Sequence, residues 1–184
     1  MVEGKIVYQG KTKKGRQVII RYPKTDDTQR LLDYINTLSK EKTFIRFQGE
    51  QLTLAEEKKY LEDFIEKIRK NKAVKLLVFD EFKLIGVADI NLMEKVESHV
   101  GIFGITVAKG FRGEGIGKLL MRLTIEEAKI NIIGLKIITL GCFANNKLAY
   151  QIYKKSGFVE FGRLPRGISH KGQYVDYINM FKNI

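Results

Sequence analysis

Cysteine is nearly absent: Cys142 is the only one in 184 residues, which excludes an internal disulfide and a cysteine-based zinc site. Tryptophan is missing altogether, and there are two histidines and two prolines, Pro23 and Pro165, both expected in turns. No Pro-rich, Ser-rich or repetitive stretch marks a linker. With 44% hydrophobic content, a single domain over residues 1–184 is expected, residues 1–15 being an N-terminal extension of strand and turn. No apolar run approaches the roughly 18 residues of a membrane span. The opening "MVEGKIVYQG" also lacks the basic-then-apolar layout of a secretion signal, so a cytoplasmic protein without a membrane partner is expected. Acidic residues are in deficit, 21 against 33 Lys and Arg, leaving a formal charge of +12. Such a field draws in polyanions, whether nucleic acid, phosphate-bearing cofactors or acidic proteins. Many of the lysines stand beside glutamates, as in "AEEKKYLEDFIEKIRK", which is the pattern of a solvated helix face.

The periodicity changes along the chain. "KIVYQGKTKKGRQVIIRYP" reads as two strands joined by a Gly/Lys-rich turn. Leu31, Leu32, Ile35 and Leu38 repeat at helical spacing, and a second helix starts near Thr53, with Glu56 completing a capping box and Leu61, Phe64, Ile65 and Ile68 as its buried face. "AVKLLVFD", "KLIGVADINL" and "SHVGIFGITV" are three strands, expected antiparallel. A helix from about Gly115 to Asn131, the strand "LKIITLGCF", the short helix in "NNKLAYQIYKKSG" and the strands "FVEFGRL" and "YVDYINMF" complete a mixed α/β order.

Between strand and helix stands "VAKGFRGEGIGKLL". A tight turn into a helix exposes amides that have no intrahelical partner, at the positive end of the helix dipole. Gly113, Gly115 and Gly117 leave that end open, and Arg112 and Lys118 flank it with charge, so a pyrophosphate fits. A Walker loop would need Gly at position 112 and Ser or Thr at 119; Arg112 and Leu119 stand there. A dinucleotide fingerprint from Gly113 would need Gly at position 118, where Lys118 stands.

"RGEGIG" instead resembles the R-x-x-G-x-G signature of the Gcn5-related N-acetyltransferases (GNAT). "NNKLAYQIYKKSGF", some 30 residues on, is similar to that family's N-x-x-A-x-x-x-Y-x-x-x-G-F signature. The resemblance covers about residues 16–181, and the ending "GRLPRGISHKGQYVDYINMF" is similar to the branch that acetylates small amines and amino acids. It implies a mixed, mostly antiparallel sheet, flanked by about four helices and splayed between the strands at 99–107 and 135–143, with acetyl-CoA as cosubstrate in the opening and no metal. It also implies that the pantetheine arm pairs with Ile105, Thr106 and Val107. The pyrophosphate would lie on the amides of Arg112, Gly113, Glu114, Gly115, Ile116, Gly117 and Lys118. Asn146 would bond the pantetheine arm, and Tyr153 would stand beside the thioester sulfur.

Transfer to an amine needs a neutral nitrogen, a polarised carbonyl and a proton for the leaving thiolate. Tyr153, a phenol protonated at neutral pH, can give that proton. Relatives that acetylate protein amino termini often carry Glu on the strand after the loop helix; Gly141 stands there. His99 is the candidate base, ahead of Glu97 and Asp89. Cys142 has no histidine near it in sequence, which disfavours an acetyl-cysteine route. The reading is acetyl transfer to a small primary amine, with a protein amino terminus or lysine, including a ribosomal protein, as the alternative acceptor. A basic nucleic-acid module built on Lys11, Lys13, Lys14 and Arg16 ranks below both, since no specific nucleic-acid motif is present. Acceptor specificity is expected in the first two helices, in "EKTFIRFQGE" with Phe44, Arg46, Phe47 and Gln48, and in the loop "LPRGISHKG". The last strands could pair across a homodimer.

Overall fold

The apolar run of the middle segments sets the centre of the sheet. β3 (Ala73–Asp80), β4 (Lys83–Leu92) and β5 (Val100–Val107) are antiparallel neighbours, and β3 is buried from Ala73 to Phe79 because helices cover both its faces. The computed structural model describes residues 3–184; Met1 and Val2, part of the expected N-terminal extension, lie outside them. A hairpin of β1 (Ile6–Lys11) and β2 (Gln17–Arg21) adds to β3. β6 (Ile137–Phe143), β7 (Val159–His170) and β8 (Gln173–Asn183) complete an eight-stranded sheet in the order β1-β2-β3-β4-β5-β6-β8-β7. Every pairing is antiparallel except β5 with β6.

Successive strand residues point to opposite faces, so β3 serves two cores. Leu76 and Val78 pack with Ile116, Leu120, Leu123 and Ala128 of α3 (Ile116–Asn131). Leu77 and Phe79 meet Leu31, Tyr34 and Leu38 of α1 (Thr28–Lys40), and Leu61 and Ile65 of α2 (Leu54–Arg69). Thr53 and Glu56 form the expected capping box at the start of α2. In α1, Tyr34 takes the core place expected for Ile35, which is only half-buried; its hydroxyl finds a partner in Thr106 Oγ1 at 3.0 Å, and this makes a buried phenol tolerable.

The expected splay is present. β5 and β6 pair only from Val100↔Ile137 to Ile102↔Thr139, and beyond those pairs both strands run on without each other. α4 (Lys147–Lys155) follows β6 and stands beside the opening.

The C-terminal segment departs from expectation. "LPRGISHKG" is not a loop: β7 runs on through it to His170, and Pro165 sits in the strand, within the stretch between Leu164 and Ile168 where the register shifts. A bulge tolerates proline's missing N–H, and Asp176 Oδ1 accepts the Arg166 amide at 3.0 Å to hold it. Lys171 and Gly172, with φ of 52° and 76°, make the tight two-residue tip. The edge hairpin thereby reaches the segment after α1.

Candidate active site

The phosphate loop is built from both sides. Arg112 Nε donates to Val107 O at 2.8 Å and its Nη2 bonds Glu41 at 2.8 Å, so its guanidinium ties the loop to the end of β5 and to α1. Glu114 departs further from expectation. Its side chain is buried and faces the β1–β2 hairpin, accepting from Thr12 Oγ1 at 3.2 Å and from Arg16 Nε at 3.1 Å. The Arg16 contact holds the Glu114 carboxyl below the usual carboxylate range. A second carboxylate, Asp80, holds Arg16 at 2.7 Å. Glu114 is therefore charged but turned away, leaving only its amide in the loop.

None of the amides of residues 112–118 has an acceptor among the described residues. Gly113 and Gly115 adopt φ of 79° and 85°, which L side chains rarely adopt; Gly115 caps α3 without a side chain in the way. Gly117 lies on the first turn of α3, near Val107. Lys118 opens onto a cavity of about 650 Å³ whose rim also carries Lys11, Lys13, Lys129, Lys155 and Lys182. From sequence, Lys11 and Lys13 belong to the basic first turn offered to nucleic acid, and only the +12 charge signals Lys129, Lys155 and Lys182, because the five converge from the hairpin, α3, α4 and β8. Unpaired amides beside a lysine-rimmed cavity fit a phosphate-bearing cosubstrate.

The pairing of β5 decides which of its residues face the opening. Backbone groups alternate in direction along an antiparallel strand. Ala108 N donates to Ile85 O, so Thr106 and Gly104 turn their backbones to β4, while Phe103, Ile105 and Val107 turn theirs to the gap. Ile105 and Val107 thus reach the open edge; Val107 O is taken by Arg112. Thr106 does not reach it, since its backbone faces β4 and its hydroxyl meets Tyr34.

Asn146 caps α4, its Oδ1 accepting the Ala149 amide at 3.2 Å. The side-chain Nδ2 keeps its donors free of any acceptor among the described residues. Tyr153, two turns into α4, packs on Phe103 of β5 and on Phe158, with ring centroids 6.5 Å and 6.1 Å apart. Its hydroxyl has no hydrogen-bond partner among the described residues, and burial pushes the phenol well above its ordinary range. The structure therefore brings Tyr153, Ile105, Asn146 and the glycine loop to one opening.

His99 is not brought there. It lies exposed in the turn before β5, where its carbonyl accepts from the amides of Lys136 and Ile137, at the closed end of the splay. The length of β5 separates it from the loop, roughly 20 Å or more at strand rise. Glu97 is exposed in the same turn region. At Gly141 the missing side chain has a substitute: a Cβ there would fall 1.7 Å from Tyr177 Oη, so the tyrosine of β8 occupies that place. Asp89, the other lesser candidate, is partnered by the buried Lys75 at 2.9 Å.

His170 was not anticipated. Buried at the hairpin tip, it lies between Phe44 and Phe143, with centroids 5.0 Å and 5.3 Å away. Its Nδ1 lies 3.2 Å from Asn145 Nδ2 and its Nε2 3.1 Å from Lys42 O, the pattern of a neutral ring that accepts at Nδ1 and donates at Nε2. Of the residues expected to meet an acceptor, Gln48 is spent inside its own loop, its Nε2 donating to Thr43 O and Ile45 O.

Glu57, buried in the first turn of α2, is raised to about 7 by burial, with Lys75 pulling the other way. In the unfolded chain it ionises near 4.5, so the unfolded state releases the proton first and stability falls as pH rises from there through the folded value. Glu57→Gln is expected to be more stable than the parent by about 1–2 kcal/mol at pH 8 and no more stable at pH 4. Urea titrations at the two pH values check this.

Comparison with known proteins agrees with this geometry. The sequence profile of the Acetyltransferase (GNAT) family matches residues 38–158. The L-amino acid N-acetyltransferase AaaT of Escherichia coli (strain K12) is 37% identical over 79 residues, 43% of this chain and 48% of that protein, so the chain spans about half the length of this curated relative. Among solved structures, the acetyltransferase of GNAT family from Streptococcus pneumoniae superposes with a TM-score of 0.82 at 28% identity, covering 91% of this chain and 99% of that one. The structure of yncA from Salmonella typhimurium with its cofactor acetyl-CoA gives 0.77 at 15% identity over 90% and 93% of the two chains, a likeness of fold. A loop of free amides at the mouth of a splayed sheet, and a profile match that runs from α1 through both signatures, have one explanation: this chain belongs to the GNAT acetyltransferase family.

Proposed function

We propose that residues 1–184 act as one acetyl-CoA-dependent N-acetyltransferase domain, which passes the acetyl group to a primary amine of a small molecule such as an amino acid or polyamine by direct attack in a ternary complex. The observation that carries this reading is the run of unpartnered amides at residues 112–118 beside the unpaired edge of β5. The amides and the lysine-rimmed cavity hold the phosphates of acetyl-CoA, and the open edge at Ile105 holds its arm. Tyr153 gives the proton that the departing sulfur takes. Burial keeps that proton on the phenol in the free protein. Burial also pushes the Cys142 thiol up to about 11, which removes the thiolate that an acetyl-cysteine route would need. The name of the Escherichia coli relative favours amino acids as acceptors.

Calorimetry with acetyl-CoA, followed by a thiol-release assay over amino acids, polyamines and N-terminal peptides, tests the proposal. Micromolar binding and turnover on a small amine are expected. Turnover confined to peptides would move the acceptor to proteins, and no binding at millimolar acetyl-CoA would overturn the reading.

A further inference from the structure

The face of β5 and β6 that looks toward α1 and α2 is left open. α1 packs on β4 and α2 on β3, so Gly104 and Gly141 are exposed and Ile102 is half-exposed. A nitrogen that attacks a thioester lying along the edge of β5 has this groove as its way in, from the side opposite α3 and α4. Gly104 leaves the floor bare beside β4, and at Gly141 the Tyr177 hydroxyl bounds it on the β8 side.

One carboxylate overlooks that floor. A Cβ on Gly104 would lie 3.9 Å from both carboxylate oxygens of Asp89. Lys75 Nζ bonds Asp89 Oδ1 at 2.9 Å, while Oδ2 has no partner among the described residues. Lys75 is itself buried, over the Phe64 ring at 4.2 Å and bonded to Tyr60 Oη at 3.2 Å. A buried ammonium fixed on three sides holds the carboxylate in one orientation. A second observation points the same way. Asn91 Oδ1, two residues along the same face of β4, is buried with no hydrogen-bond partner among the described residues. An acceptor atom left in this state is free for a donor the chain does not supply, a water or the N–H of a bound molecule.

Resting on the acetyltransferase reading, we infer that Asp89, oriented by Lys75, is the residue that docks the acceptor's amine, taking its ammonium form on Oδ2 over Gly104 beside Asn91 Oδ1. The acceptor thus arrives as a cation. The charged and titratable groups around Asp89 are Lys75 from β3 and Tyr60 and Glu57 from α2, and β5 contributes only Gly104. On transfer the C–N bond forms and the C–S bond breaks. The nitrogen loses two protons, the sulfur gains one by way of Tyr153, and one leaves to solvent.

The test measures ethylamine, L-methionine, L-lysine and spermidine binding by calorimetry, without acetyl-CoA, on the parent, Asp89→Asn and Gly104→Ala. Acetyl-CoA binding and thermal melting are measured alongside. Loss of a charge-assisted contact corresponds to about a 10- to 100-fold weaker amine. Asp89→Asn is therefore expected to weaken the bound amine at least tenfold with acetyl-CoA affinity within twofold of the parent, and in turnover KM for the amine rises more than kcat falls. Gly104→Ala, which leaves the Asp89–Lys75 pair in place, is expected to weaken the amine severalfold at unchanged melting temperature. Amine binding that survives Asp89→Asn within threefold, or a parent that binds none of the four amines, overturns the inference. Failure of the acetyltransferase reading shows separately, as absent acetyl-CoA binding.

Discussion

Gly117→Asp is expected to weaken acetyl-CoA at least a hundredfold while leaving the protein folded. Position 117 is the second residue of α3, where a carboxylate is favoured by the helix dipole and by free first-turn amides. A Cβ there meets only Val107 Cγ2, at 3.7 Å, an ordinary contact, and the backbone at this glycine does not need a positive φ. The helix itself therefore has no reason to object. For a pyrophosphate the same carboxylate does two kinds of harm: it takes the amides the phosphate needs, and it places a like charge roughly 5 Å away. At an effective dielectric of about 20 that repulsion is about 3 kcal/mol per charge pair, two decades in affinity. Calorimetry with acetyl-CoA, read beside a melting curve at or slightly above that of the parent, checks both halves. Binding kept within threefold would remove the phosphates from this helix end.

This effect could be argued from sequence because its cause is local. A strand, a turn rich in glycine and an apolar stripe are written within 25 or so consecutive residues, and the capping box of Thr53 and Glu56 is likewise a four-residue matter. The splay was reached through the resemblance carried by two motifs. What stayed hidden depended on pairings between distant residues. Nothing near Glu114 says that its carboxylate meets Thr12 and Arg16, about a hundred residues earlier, and turns out of the loop. His99 precedes the loop strand in sequence and is nevertheless at its wrong end, because a strand carries its two ends far apart.

The hairpin was legible as two strands but not in length. Pro165 and Gly167 read as a loop, and the bulge that accommodates them depends on Asp176 from the opposite strand. Lys75 and Asp89 carried a readable signal that went unused. A lysine inside "AVKLLVF" must find a buried partner or leave the core, and Asp89 interrupts the next apolar strand at the position that pairs with it.

The largest expected loss of rate belongs to Tyr153→Phe. Phenylalanine keeps the edge contacts with Phe103 and Phe158, so α4 stays in place and acetyl-CoA affinity is expected within twofold of the parent. What disappears is a hydroxyl on a half-buried ring at the opening, with no partner among the described residues. Removing a proton donor at the leaving group typically lowers kcat by about 10²–10⁴-fold, and a fall in that range, with KM for acetyl-CoA little changed, is expected here. Stability should not follow the rate. The hydroxyl makes no bond within the described residues, so its deletion is neutral to within about 1 kcal/mol, and a melting temperature close to that of the parent is expected. The pH profile of the parent follows from the same burial. Burial raises the phenol, so the donating, protonated form persists at every pH below its ordinary range, and the parent's kcat should show no fall assignable to Tyr153 up to about pH 10. If Tyr153→Phe lowered the melting temperature and left kcat within threefold, the tyrosine would be core, and the sulfur would draw its proton from water at the mouth of the splay.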